Sequence, residues 1–249
     1  MTPKIRFNPP PDNLQLTDRE VHVFCTVLDQ PWWRMERLTE TLSSDERQRA
    51  ARFHFGKDKN RYVAGRGMLR EILGRLLGVE PAEPVFSYGV RGKPRLAMPA
   101  TAENSLHFNV AHSDSLVVYA VSRRHEVGID VERIRPVREM EDIAAHIFSK
   151  PERAQWRLLA DDKKTEAFFY CWVRKEAWLK ARGSGIDEPL NQIESSFGGD
   201  VTGKGRFSLH SFQPASDFAA ALVTKCHDAL VHCWSWRGEE LSQAPWSPG

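Results

Sequence analysis

The chain has 249 residues, 41% of them hydrophobic, enough to bury one large core or two small ones. Its 35 Lys+Arg against 33 Asp+Glu leave a formal net charge of +2, which is not the strongly basic profile of a dedicated nucleic-acid binder. Residues Met1 to Arg6 lack the apolar core of a signal peptide, and no apolar run approaches the ~20 residues of a membrane span, so a cytoplasmic protein with no membrane partner is expected.

Residues 1–16 are rich in Pro, Asn and Asp and read as an N-terminal arm. Val21 to Val27 reads as a buried strand. Ser43 with Glu46 three residues on forms a capping box, and a helical pattern runs from there to Gly78, with Leu69, Ile72, Leu73, Leu76 and Leu77 on one face. Gly89 to Pro94 is a punctuated loop. Three strands then suggest an antiparallel meander: Leu106 to Val110, Leu116 to Val121, and Val127 to Val131, with turns at Ser113-Asp114-Ser115 and Arg123 to Glu126. Ser149 and Glu152 make a second capping box. A helix is expected from about Thr165 to Arg182, stopped by Gly183. Ala219 to Thr224 and Leu230 to Trp236 are strand-like. The order implies an α+β protein of two halves, 17–125 and 126–237, followed by a flexible tail, 238–249. Cys25, Cys171, Cys226 and Cys233 form no C-x-x-C pair and read as small buried hydrophobes in a reducing compartment.

Four segments carry candidate chemistry. In Val127-Gly128-Ile129-Asp130-Val131-Glu132, strand alternation points Asp130 and Glu132 the same way. Two adjacent carboxylates repel unless a cation sits between them, and such oxygen ligands suit Mg²⁺; the alternative is the solvent face of an amphipathic strand. In the segment Phe168 to Lys180, Glu176 falls about 40° around the helix from Trp172, inside an apolar arc flanked by Lys175 and Lys180. A carboxylate there needs a partner, either Lys180 at i,i+4 or a metal. In Asn109-Val110-Ala111-His112-Ser113, His112 ends a strand. If the strands form a meander, it lies toward the same end as Asp130 and Glu132. Arg91-Gly92-Lys93-Pro94 could let cations and bare backbone approach phosphates, or be a solvated turn. The basic run from Arg47 to Arg61 admits a plain wet helix face. No Gly-rich nucleotide loop of the GxxxxGK[ST] type and no serine-hydrolase elbow is present.

In this order, these segments resemble the 4′-phosphopantetheinyl transferases of the larger, monomeric type, the surfactin-synthetase-activator class. The match rests on Val127-Gly128-Ile129-Asp130-Val131-Glu132 and Trp172-Val173-Arg174-Lys175-Glu176-Ala177-Trp178-Leu179-Lys180. It is supported by Gly92-Lys93-Pro94, Asn109 to Ser113, and Phe148-Ser149, and runs from about Leu42 to Leu190. The resemblance implies two similar α/β halves related by a pseudo-two-fold, with coenzyme A and Mg²⁺ in the cleft between them, and a monomer. It implies Asp130, Glu132 and Glu176 as metal ligands, with Asp130 also beside the coenzyme A pyrophosphate. Glu176 and Lys180 are the catalytic pair, and Lys175 and Lys180 sit near the pyrophosphate. Arg49, Arg91, Lys93 and His112 approach the phosphates of coenzyme A. The implied reaction moves 4′-phosphopantetheine to a serine of an apo carrier protein, acyl or peptidyl, releasing 3′,5′-ADP. Such carriers serve fatty-acid, polyketide or nonribosomal-peptide synthesis. Two departures stand out. Ala111 replaces the serine that usually precedes the histidine, so a hydroxyl contact to the ligand is missing or moved to Ser113. Glu46 stands where some members have lysine, which puts more weight on Arg49. The alternatives are another Mg²⁺-dependent phosphodiesterase acting on a nucleotide, or a silent carrier-binding protein.

Overall fold

The computed structural model describes residues 4–89, 92, 94–97, 106–183, 189–193, 207–226 and 228–237; Arg91, Lys93 and the expected tail lie outside them. The first strand, β1 (Glu20–Val27), is buried on both faces, with Val21, Val23 and Cys25 on one and Phe24 on the other. Three helices follow: α1 (Trp32–Thr41), α2 (Ser44–Ala51) and α3 (Gly56–Leu77). The single helix expected from Ser43 to Gly78 is thus two. Extended backbone at Phe55 breaks the ladder, and Phe53 turns back against Tyr62, with ring centroids 5.3 Å apart. The capping box at Ser43 and the left-handed stop at Gly78 (φ 70°) both form.

A short hairpin, β2 (Phe86–Tyr88) and β3 (Pro94–Leu96), leads to β4 (His107–Ser113) and β5 (Leu116–Ser122), an antiparallel pair around Asp114. The expected meander ends there. Strand β6 (Val127–Arg133) does not pair with β5. It joins a second sheet with β8 (Phe218–Thr224), which also pairs with β7 (Ser208–Phe212). The reason is burial on both faces. Val127, Ile129 and Val131 pack against Val21, Val23 and Val118 of the first sheet, and a strand can meet that sheet's face only from another layer. Helices α4 (Met140–Ile147), α5 (Lys150–Arg157) and α6 (Asp161–Arg182) cover the other face, with Ser149 and Glu152 closing the α5 capping box. The last strand, β9 (Leu230–Ser235), returns to the first sheet and runs parallel to β1.

The result is four layers, helix–sheet–sheet–helix. Spatial orders β4-β5-β1 and β7-β8-β6 are the same path traced twice, each built from a strand, a set of helices ending in a 22-residue helix, and an antiparallel pair. That repeat is the pseudo-two-fold. Along its seam, β4 and β6 lie side by side without a ladder. Asn109 Oδ1 accepts the Ile129 N–H at 2.9 Å, and Ser113 Oγ accepts the Arg133 N–H at 3.1 Å. Both links span 20 residues, so the two strands run in the same direction. The expected common end for His112, Asp130 and Glu132 therefore holds, across two sheets rather than within one.

Candidate active site

Glycine 128 decides how close α6 comes to the seam. A Cβ there would lie 2.1 Å from the Ala177 carbonyl oxygen and 2.3 Å from the Ala181 nitrogen, so only bare backbone lets the helix cross β6. The row Val173, Ala177 and Ala181 of α6 is fully buried. Glu176 and Lys180 flank this row, half-buried, and are carried to the edge where Asp130 and Glu132 stand.

Lys180 Nζ donates to Asp130 Oδ1 at 2.6 Å and to the Ile129 carbonyl at 3.3 Å. Asp130 is only 6% exposed, and its second oxygen, Oδ2, is buried with no hydrogen-bond partner among the described residues. A buried carboxylate oxygen left without a donor is costly. Burial, with Glu176 and Glu132 adding their charge, pushes the Asp130 pKa up to about 7 even though Lys180 works against the rise. Burial also raises Glu176, which Lys180 opposes and Glu132 reinforces. The three carboxylates thus share one electrostatic pocket around the Lys180 ammonium. They are not drawn into one cage: Asp130 is held by Lys180, while Glu132 Oε2 accepts the Ser113 hydroxyl at 2.6 Å. The orphaned Oδ2 and the all-oxygen donor set fit a hard divalent cation such as Mg²⁺.

His112 is exposed at the mouth, on the helix side of β4. Desolvation of its ring, then the Lys180 and Arg61 cations, hold it below its usual value against the pull of Glu132. Ser113 is committed to Glu132 and the Arg133 backbone, so its hydroxyl positions a carboxylate and does not stand in for the serine that Ala111 replaces. Ala111 itself points into the interface between the sheets.

Lys175 corrects the sequence expectation. It is fully buried away from the cleft, with Nζ 2.6 Å from Glu152 Oε2 and donating to the Leu190 and Ile193 carbonyls at 2.9 and 2.6 Å. One residue is about 100° of helix, and that turns Lys175 toward α5 while Glu176 faces the seam. Glu46 also turns inward. It caps α2 and pairs with Arg66 and with Arg70, the latter at 2.6 Å, so it does not stand in for a phosphate-binding lysine.

Arg49 lines an open cavity of about 820 Å³ with Asp45, Gln48, Arg52, Phe53, Tyr62 and Tyr88. Its guanidinium lies 5.5 Å from the Tyr62 ring centroid. Gly92, between Arg91 and Lys93, also lines this cavity, with φ 75°. Tyr62 and Tyr88 lie outside every segment singled out in the sequence, because single aromatics carry no spacing signal that separates them from core.

Comparison with known proteins identifies the family. A family model described as the 4′-phosphopantetheinyl transferase superfamily matches residues 126–231, and one described as 4′-phosphopantetheinyl transferase, N-terminal, matches residues 31–124. The boundary between them falls at the loop before β6. The 4′-phosphopantetheinyl transferase HetI of Nostoc sp. is 46% identical over 186 residues, covering 75% of this chain and 78% of that protein. A 4′-phosphopantetheinyl transferase of Bacillus subtilis is 31% identical over 69% of this chain and 74% of its own length. The 4′-phosphopantetheinyl transferase Sfp of Bacillus subtilis strain 168 is 30% identical over 64% of this chain and 67% of its own. With two family models meeting at the loop before β6 and a relative of this identity over three-quarters of the chain, the protein belongs to the 4′-phosphopantetheinyl transferase family.

Proposed function

We propose that the seam between the two sheets transfers 4′-phosphopantetheine from coenzyme A to a serine of an apo carrier protein, releasing 3′,5′-ADP, in a Mg²⁺-dependent reaction. The observation that carries this reading is the buried, unpartnered Asp130 Oδ2 beside Lys180, with Glu132 and Glu176 in the same electrostatic pocket. Asp130, Glu132 and Glu176 would hold the ion. When bound, it supplies charge neutralisation at the pyrophosphate as the phosphoryl group transfers.

The chain's own residues have separate tasks. The cavity of Arg49, Arg52, Tyr62 and Tyr88 accepts the adenosine 3′-phosphate end: cations for the phosphate, ring faces for the base. Arg91 and Lys93, which lie outside the described residues and adjoin the cavity-lining Gly92 in sequence, are taken as further cations for the phosphates. His112, at the mouth near Lys180, meets a phosphate oxygen. The serine oxygen forms a bond to the β-phosphorus as the P–O bond to the α-phosphate breaks. Glu176, at the edge of the ion's site, takes the serine proton. Lys180 stays beside Asp130 and balances the charge on the departing 3′,5′-ADP.

The test is transfer by Glu176→Gln and Asp130→Ala at matched folding. General-base removal costs about 10²- to 10⁴-fold in turnover. A Glu176→Gln enzyme with near-normal turnover takes that residue out of the mechanism. Hydrolysis of coenzyme A with no carrier present would favour a phosphodiesterase instead.

A further inference from the structure

Far from the carboxylate seam, the parallel pairing of β1 and β9 sets His22 directly beside His232. Glu20 lies two residues before His22, so strand alternation puts it on the same face. The Glu20 carboxylate faces both rings: Oε2 is 3.6 Å from His22 Nε2, and Oε1 is 3.5 Å from His232 Nε2. One ligand atom from each residue lies within 4.8 Å of the others. His22 is 2% exposed, and its Nδ1 has no hydrogen-bond partner among the described residues. Nε2 of His232 is likewise buried and without a hydrogen bond among them.

We propose that Glu20, His22 and His232 form a second metal site, for zinc or a similar borderline divalent ion, that clips the last strand of the fold to the first.

Three observations favour metal ligation over a histidine–carboxylate ion pair. The first is spacing. Zinc bonds of about 2.0–2.2 Å in tetrahedral geometry set neighbouring donors about 3.4 Å apart, close to the two separations seen here. The second is an unmet ring nitrogen: His232 Nε2, the atom facing Glu20, is buried and makes no hydrogen bond among the described residues, and imidazole nitrogen is a good zinc ligand. The third is support around the ligands. Thr17 fixes the carboxylate, and Trp234 stacks on His232 with ring centroids 5.8 Å apart and planes 5° apart. The His232 side chain is 39% exposed, which puts the cluster at the solvent edge of the sheet.

The site is separate from the seam. His22 pairs with Val121, while the seam end of β1, Val27, pairs with Leu116, five residues on, or about 17 Å along the strand. Strand β9 is at the edge of its sheet, so a clip there fastens the returning chain to β1.

Cobalt is the probe, since its visible absorption reports nitrogen ligation. Full-length protein is stripped with chelator, held in excess Mg²⁺ and titrated with Co²⁺. The expected result is one equivalent bound with a visible band, displaced by Zn²⁺, and a zinc-dependent rise in melting temperature. His232→Ala, at a part-exposed edge position, and Glu20→Gln should each weaken Co²⁺ binding at least about tenfold while the metal-free protein melts as before. The Asp130→Ala variant should keep the band. No band in the wild type, equal binding by His232→Ala, or loss of the band in Asp130→Ala but not in His232→Ala would each overturn the proposal.

Discussion

Substituting Gly128 by alanine tests whether the site depends on backbone contact between α6 and β6. The new methyl would lie 2.1 Å from the Ala177 oxygen and 2.3 Å from the Ala181 nitrogen, against an ordinary contact of 3.4 Å or more. The overlap exceeds 1 Å, and both obstacles are backbone, so no rotamer change relieves it. Helix α6 must shift outward by roughly 1 Å or β6 must buckle. Overpacking of this kind costs about 1–3 kcal/mol. The larger effect is on chemistry, because α6 carries Glu176 and Lys180 while β6 carries Asp130 and Glu132. A misplacement of ~1 Å costs on the order of 10² in rate. The assay pairs kcat/KM for carrier modification with thermal unfolding, using Gly56→Ala, whose methyl meets nothing within 4 Å, as the control. A Gly128→Ala enzyme within about twofold of wild type in both would refute the close-approach argument.

The other predictions concern single side chains. Lys175→Met should destabilise the protein by about 3–5 kcal/mol in denaturant titration, because the buried Glu152 carboxylate loses the Lys175 cation; an altered KM for coenzyme A at unchanged stability would return Lys175 to the cleft. Arg49→Ala should raise the KM for coenzyme A about tenfold with kcat little changed, the signature of weakened ground-state binding; an unchanged KM would place the adenosine end elsewhere. Glu46 supplies the pH prediction. Burial works to raise its pKa, but Arg70, the Ser43 N–H and Arg66 hold it below its ordinary 4.5. The unfolded chain therefore takes up the proton first, and this contribution is present above pH 4.5 and lost as pH falls through the lower folded value. Melting temperatures of wild type and Glu46→Gln, well separated at pH 7, should converge on acidification; a constant gap would show that the pair does not titrate.

Much of the site is legible in the sequence because its residues sit in short runs with strong local rules. Alternation along β6 puts Asp130 and Glu132 on one face, two capping boxes mark helix starts, and Gly183 marks a stop in the left-handed region. What local rules miss is anything decided by a partner far away in sequence. Strand β6 looks locally like a third meander strand, and only its packing against both the first sheet and α6 sends it to a second sheet. Lys175 and Lys180 look alike beside an apolar arc. The arc centred on Trp172 is not where α6 is most buried, since Val173, Ala177 and Ala181 lie deeper, and α5 offers a buried carboxylate that no helical wheel can place. The break between α2 and α3 depends on Phe53 turning onto Tyr62, and that turn helps form the cavity around Arg49.

The central claim is the transfer itself, and intact-mass spectrometry of an apo carrier protein incubated with this enzyme, coenzyme A and Mg²⁺ tests it most directly. The account predicts a gain of one phosphopantetheine, about 340 Da, on the carrier, abolished by a metal chelator and by Glu176→Gln. No gain across acyl and peptidyl carriers, from an enzyme that still binds coenzyme A, would contradict it.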